Sequence, residues 1–256
     1  MRALTLNGSD GPSSLSFVDV DVPDPRADEV RVKLKCAALN RRDVWMTVGQ
    51  YPGIQMPAIA GSDGSGIIDA VGVGTSKECL DSEVVIYPAL EWGDDPLCGG
   101  KNFRVLGMPD QGTFAEYICV PKSSIYPKPM HLSWEQAAAF PLAGLTAWRA
   151  VVTHGEVKRG DKVLVTGIGG GAAGFALLWA KERGAEVIVT SSSQDKINTA
   201  MREGAVAGYN YSNDSWVKEL RSEIGSIDLV VDSGGGDGMN TVLDTLKNGG
   251  RYVFFG

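Results

Sequence analysis

Residues 163–174 read Val-Leu-Val-Thr-Gly-Ile-Gly-Gly-Gly-Ala-Ala-Gly. An apolar, β-branched run enters a glycine cluster, and an alanine-rich helical pattern leaves it. Glycines at 167, 169 and 170 reach dihedrals closed to other residues and leave space for phosphate oxygens. A helix starting there offers unpaired N–H groups and the positive end of its dipole. The expected chemistry is capture of a dinucleotide pyrophosphate by Gly167, Gly169, Gly170 and Gly171. Ala172 takes the place of the last glycine in G-x-G-x-x-G, a change that the pattern tolerates. Glycine clusters also make tight turns, so the strand–turn–helix context carries this reading.

The end of the next strand separates the two nicotinamide cofactors. A site for NAD places Asp or Glu there to accept from the ribose 2′-hydroxyl. This chain has Val189-Thr-Ser-Ser-Ser-Gln-Asp-Lys196. Ser191 and Ser192 do not repel a 2′-phosphate, and Lys196 follows at a reach suited to a charge-assisted bond. NADPH is therefore expected over NADH, with Asp195 as an opposing charge. The plainer alternative is a serine cap and a solvent lysine opening a helix. Ser233 and Gly234 follow the fourth strand and would line the groove at the carboxyl ends of the strands.

Metal and hydrolytic chemistry find little support. The two histidines, His131 and His154, have no ligand partner at useful spacing, and the cysteines at 36, 79, 98 and 119 form no C-x-x-C pair. No metal is expected, and four reduced thiols fit a cytoplasmic protein. No Ser-His-acid arrangement is suggested by the spacings.

The elements that position these residues change character near residue 130. Before it, short alternating segments predict strands at 2–6, 15–20, 29–38, 64–71, 83–86 and 114–120. Residues 40–48 suit one or two helical turns, and 88–112 read as an excursion rich in glycine and aspartate. Ser133 predicts a helix start, Pro141 an interruption, and 145–152 a resumed helix. From residue 162, strands (162–166, 186–190, near 206, 227–232, 251–255) alternate with helices (172–182, 194–203, 214–224, 239–246). That alternation predicts a mainly parallel sheet with helices on both faces. The chain stops at Gly256, directly after its fifth such strand. A two-half nucleotide fold has a sixth, so a truncated domain, or an edge covered by a partner chain, is expected.

The chain has 256 residues, a net charge of −7 and 33 glycines without a G-x-y period. An acidic chain with no basic block argues against nucleic acid. No apolar stretch reaches membrane-spanning length. The first residues read as a strand rather than a secretory leader.

The motifs together resemble the medium-chain dehydrogenase/reductase superfamily. They are 37–43 (Ala-Ala-Leu-Asn-Arg-Arg-Asp), 61–66 (Gly-Ser-Asp-Gly-Ser-Gly), 112–117 (Gly-Thr-Phe-Ala-Glu-Tyr), 141–147 (Pro-Leu-Ala-Gly-Leu-Thr-Ala), the glycine loop and 228–232 (Asp-Leu-Val-Val-Asp). Within the superfamily the chain looks like zinc-free quinone and enone reductases and zinc-type alcohol dehydrogenase-like proteins. The resemblance implies an α/β chain with a GroES-like β-domain at 1–130, incomplete without its C-terminal return, and a Rossmann domain at 131–256. It also implies that the final portion of the family pattern is absent, and that relatives pair as homodimers along the nucleotide-domain sheet edge.

The resemblance carries further site residues. Catalytic zinc in this superfamily takes a cysteine where Asn40 stands, a histidine where Ser62 stands and a further cysteine near Leu142, with an acid at Asp63. The lobe matching 88–112, which holds structural zinc in alcohol dehydrogenases, has only Cys98. Neither zinc is expected. Ser192, Lys196 and Tyr211 match positions at the 2′-phosphate or adenosine end. Thr146 matches a threonine beside the nicotinamide, and 254–256 matches a stretch close to it. Asn40 is the candidate contact to a substrate oxygen, or a cap for the helix that follows. Tyr51 lines the cleft or packs a loop. Asp43 reads as a cap or partner of Arg41 or Arg42, and Trp45 and Met46 as an apolar wall or as core. Without a metal, reduction of a quinone or α,β-unsaturated carbonyl is less demanding than alcohol oxidation. An NADPH-dependent oxidoreductase acting on such a small molecule is the expectation. The alternatives are a zinc-type alcohol dehydrogenase and a nucleotide-binding sensor with little catalysis.

Overall fold

In the ten-residue strand Glu29–Ala38, Val30 and Val32 are fully buried while Lys33 faces solvent. That period of two recurs in the strand Tyr117–Pro121 of the same β-rich first unit, Met1–Leu142, of a computed structural model that describes residues 1–255. Its elements are β1 (Arg2–Leu6), β2 (Leu15–Asp19), β3 (Glu29–Ala38), α1 (Arg41–Thr47), β4 (Ala58–Ile59), β5 (Asp63–Val71) and β6 (Glu83–Ile86). There follow β7 (Ala89–Leu90), β8 (Arg104–Val105), β9 (Tyr117–Pro121), β10 (Ile125–Pro127) and α2 (Trp134–Ala139). An antiparallel sheet runs β10-β6-β5-β3-β9, a smaller one β2-β1-β4, and β7 pairs with β8. Register shifts at Arg31/Val32 and Leu34/Cys36 interrupt the β3–β5 ladder and bend it. Val30, Val32, Ile68, Val84, Ile86, Ile118 and Val120 form the core.

Differences from the sequence reading have local causes. The strand expected from 114 begins at Tyr117, because the preceding segment turns its backbone to other partners. Leu4 N–H donates to Phe114 O (2.8 Å) and Phe114 N–H to Ala60 O (2.9 Å). The excursion at 88–112 contains the β7–β8 hairpin, where Arg104 pairs with Glu91 (2.6 Å) and Asp110 (2.7 Å). Such charge pairs leave no periodic trace. Helix α2 starts at the Ser133 cap, whose Oγ accepts from Gln136 N–H (3.2 Å) while Gln136 accepts from Ser133 N–H (3.0 Å). It packs on β3 and β5 of the first unit, although the sequence reading groups it with the second region.

The second unit begins within α3 (Pro141–Trp148), whose first residue is proline, where a missing N–H is harmless. A π-helical stretch, Arg149–His154, continues it. Then come β11 (Lys162–Val165), α4 (Gly171–Glu182), β12 (Glu186–Ser191), α5 (Gln194–Glu203), β13 (Ala207–Asn210), α6 (Trp216–Glu223), β14 (Ile227–Asp232), α7 (Met239–Leu243) and β15 (Leu246–Phe254). All five strands are parallel, in the order β13-β12-β11-β14-β15. Val163, Val165, Val187 and Val189 pack with Ala173, Ala176, Leu177 and Ala180 of α4 on one face. Leu164, Ile188 and Val230 pack with Trp216, Leu220 and Val242 on the other. Apolar side chains on both faces are what a parallel sheet covered by helices needs. Strand β15 starts five residues before the expected 251, because Leu246 already pairs with Ile227. Helix α7 is shorter to match.

Candidate functional site

Each unit carries its own share of the predicted residues. In the second unit the glycine loop joins β11 to α4 at the carboxyl edge of the sheet. Gly167 (φ +63°) and Gly169 (φ +106°) are left-handed, which glycine alone adopts at little cost. Ile168 between them is buried, and its N–H donates to Thr190 O (2.8 Å), so the loop is pinned to the end of β12. Gly170 is the N-cap of α4, and Gly171 opens the helix against Ala143 of α3. Thr146 lies one helical turn beyond Ala143 and is half-buried.

Lys196 lies across this loop. A Cβ on Gly169 would stand 2.5 Å from its Cδ. Gly169, Gly170, Gly171 and Lys196 line one cavity of about 510 Å³ with Phe175, Leu178, Asp195 and Thr199. An unbranched backbone cradle, a helix N-terminus and a lysine stem fit a dinucleotide phosphate. Asp195 shares the cavity as an opposing charge.

The serines at the end of β12 divide their roles. Ser191 is buried, and its Oγ accepts from Ser193 N–H (3.2 Å). Ser192 is exposed. The helix cap is Ser193, whose Oγ accepts from Lys196 N–H (3.5 Å). Tyr211 follows β13 and is half exposed, its N–H donating to Ser191 O (3.3 Å). Across the sheet, Ser233 N–H donates to Thr166 Oγ1 (3.1 Å) and its Oγ to Thr166 O (3.4 Å). A Cβ on Gly167 would meet Ser233 Oγ at 2.8 Å, so the two glycine-bearing turns touch. Gly234 N–H donates to Asp232 (2.9 Å). Of the expected stretch 254–256, Gly256 lies outside the described residues.

In the first unit three of the four positions matching zinc ligands, Asn40, Asp63 and Leu142, come together as a hydrogen-bonded plug, while the Ser62 side chain bonds elsewhere. Asp63 is 1% exposed, and its carboxylate accepts from Asn40 Nδ2 (2.9 Å) and from Leu142 N–H (2.9 Å). Ser62 Oγ donates to Leu106 O (2.7 Å) and accepts from the buried Arg42 guanidinium. Arg42 also donates to Leu106 O (2.6 Å) and, through Nε, to Tyr51 Oη (3.1 Å), with the Tyr51 ring 4.6 Å from its Cζ. An amide, a hydroxyl and an apolar side chain with a guanidinium among them do not fit a dication that wants thiolate and imidazole. Among the described residues, no three His, Cys, Asp or Glu side chains cluster as a metal site would. In the lobe matching the structural zinc, Cys98 is exposed and donates to Asp95 (3.3 Å).

Burial pushes the Asp63 carboxyl up to about 7, against the pull of Asn40 and Leu142. Asp43 is raised in the same sense by burial, while it caps α1 by accepting from Asn40 N–H (2.7 Å). Asn40 thus serves both the cap and Asp63, and one Nδ2 hydrogen remains for a further acceptor. Met46 lies in the core with Leu6, Ala58 and Met108, so the apolar wall expected from Trp45 and Met46 loses its second member. Trp45 stays 42% exposed. Sequence reasoning missed Arg42, Thr166 and Tyr252 as site residues and used Asp232 only as part of a motif. A threonine closing a strand before glycine was the one signal on offer.

Residues 26–130 match the family model for the alcohol dehydrogenase GroES-like domain, and residues 171–256 that for zinc-binding dehydrogenase. A zinc-type alcohol dehydrogenase-like protein, YogA, from Leptosphaeria maculans is 38% identical over 96% of this chain and 72% of its own length. Quinone oxidoreductase 1 of Escherichia coli is 29% identical over 96% of the chain and 70% of its length. A crystal structure described as an NAD-dependent alcohol dehydrogenase superposes with a TM-score of 0.94 at 41% identity, covering 99% of this chain and 77% of that one.

Proposed function

The chain belongs to the medium-chain dehydrogenase/reductase superfamily, and on that premise we propose an NADPH-dependent, zinc-independent oxidoreductase that reduces a quinone or an α,β-unsaturated carbonyl. One observation carries the cofactor reading: Lys196 lies over Gly169 in the cavity of the glycine loop, with serines and no acid at the end of β12. When bound, a nicotinamide supplies the hydride. The backbone of Gly169–Gly171 and the N-terminus of α4 hold the pyrophosphate. Ser192, Lys196 and Tyr211 take the 2′-phosphate end, with Ser191 supporting the turn from beneath. Ser233 and Gly234 edge the groove, and Thr146 belongs to the nicotinamide end.

On the substrate side, Asn40 offers its remaining Nδ2 hydrogen to the oxygen that gains charge as the carbonyl is reduced. Asp63 holds that amide in one orientation. Tyr51 is held by Arg42 and packs on the cluster of Leu6, Met46, Ala58 and Met108, so a part for it at the substrate is proposed on the resemblance alone. No step needs a metal, and the residues at the zinc positions offer none a site.

Fluorescence titration with NADPH and NADH, followed by an enone and quinone turnover screen, tests this reading. Lys196→Ala is expected to weaken NADPH by roughly ten- to a hundredfold, as loss of a charged hydrogen bond does, and to leave NADH within about twofold. Equal losses for both would remove the phosphate role. Asp195 supports a second reading, in which its carboxylate accepts from a ribose 2′-hydroxyl and NADH is preferred. The same titration separates the two.

A further inference from the structure

The second unit contains a buried acid that the cofactor reading does not use. Asp232 closes β14 and is 2% exposed. Its carboxylate accepts from four donors: Thr166 Oγ1 after β11, Tyr252 Oη on β15, and the N–H groups of Gly234 (2.9 Å) and Gly235 (3.2 Å). Burial by itself would raise this carboxyl, but the four bonds outweigh it and hold the group below its ordinary range. Thr166 Oγ1 accepts in turn from Ser233 N–H (3.1 Å). The ends of three neighbouring strands, β11, β14 and β15, are thereby tied to one carboxylate. The turn that it holds is left-handed at Gly235 (φ +58°) and Gly236 (φ +64°), a shape open to glycine.

Resting on the dinucleotide reading above, we propose that Asp232 is a positioning residue that shapes the nicotinamide half of the cofactor groove. The sheet order gives the direction. Ser191, Ser192, Lys196 and Tyr211 stand at β12 and β13, on one side of β11, and the Asp232 bonds lie on the other side, at β14 and β15. A dinucleotide laid along the carboxyl edge of such a sheet crosses the switch point between β11 and β14, with its adenosine half over the second strand. The ties at Asp232 are then under the other half. Asparagine at 232 would replace one acceptor oxygen by a donor NH2, and either Thr166 and Gly234 or Tyr252 and Gly235 would lose their acceptor.

The test compares two probes on the full chain. NADPH spans both halves, and adenosine 2′,5′-bisphosphate occupies the adenosine half alone. Dissociation constants are measured for the wild type, Asp232→Asn and Tyr252→Phe, with thermal midpoints alongside. Asp232→Asn is expected to weaken NADPH by about tenfold and Tyr252→Phe by about threefold, with the bisphosphate within about twofold for both. If the wild type selects NADH, then NADH and ADP take the same two places. A variant that weakens both probes alike overturns the proposal in favour of a general structural role. Unchanged NADPH binding in both variants also overturns it. A wild type that binds neither probe overturns the dinucleotide reading, and this inference with it. Where Asp232→Asn fails to fold, Tyr252→Phe decides by the same comparison, since it removes one hydroxyl and keeps the ring.

Discussion

Asp63 is where one side chain's chemistry has the clearest solution signature. Its carboxyl titrates near 3.8 in an unfolded chain and is pushed up to about 7 in the fold. Between those values the folded protein holds a proton that the unfolded one has lost. Stability from this group is therefore complete below the lower value and falls as pH rises through the upper one. Thermal melts from about pH 4 to about pH 8 should show a decline in the wild type that is shallower in Asp63→Asn. Identical slopes would mean that the carboxyl does not titrate in that window. The same plug predicts metal behaviour. Arg42 donates to Ser62 where the family's histidine stands and brings a positive charge there, so protein dialysed after incubation with zinc should keep far less than a stoichiometric amount by emission spectrometry. Retention of a full equivalent would sink the zinc-independent reading.

The loop and helix around the glycine cluster make a sharper test of why glycine occurs where it does. Gly169 is left-handed at φ +106°, and a Cβ there meets the Lys196 stem at 2.5 Å. Gly174 lies inside α4 with open space around its missing Cβ. Gly169→Ala is expected to destabilise by about 1–2 kcal/mol and to weaken nucleotide binding. Gly174→Ala is expected to stabilise by about 0.5–1 kcal/mol, because helical glycine carries an entropic penalty that alanine does not. Urea denaturation of the two variants checks the opposite signs. If both destabilise, the space argument at Gly174 fails. At the start of α2, Ser133→Ala removes one half of a reciprocal cap and should cost about 1 kcal/mol in the same assay.

Over the whole molecule, the net charge of −7 and sequence pI of about 4.9 govern how copies meet. Light scattering should rise as pH approaches that value and fall again near neutrality, and immobilised DNA should not retain the protein at neutral pH. Among the described residues, no helix is long and apolar enough to cross a membrane. The parallel sheet of the second unit was legible from its strand–helix alternation, and the glycine loop from the type and order of its residues. The β-rich first unit was legible from alternation at β3 and β9, but the short strands β4, β7, β8 and β10 were not, since two or three residues hold no period. The placement of the candidate residues was legible where neighbours are local, at the turn of Gly167–Gly171 and the helix start of Ser191–Lys196. It was not legible where partners are far apart in the chain. Arg42 meets Leu106 across 64 positions, and Asp63 meets Leu142 across 79. Periodicity reports which face of an element is buried, because that is a property of neighbours three or four residues away. Which buried carboxylate receives which donor depends on where separate elements end in space. The sequence by itself thus determined the superfamily pattern, the strand–helix order and the glycine turn between β11 and α4. Only the tertiary structure decided that Asn40 and Leu142 would close on Asp63, and that Asp232 would tie three strand ends together.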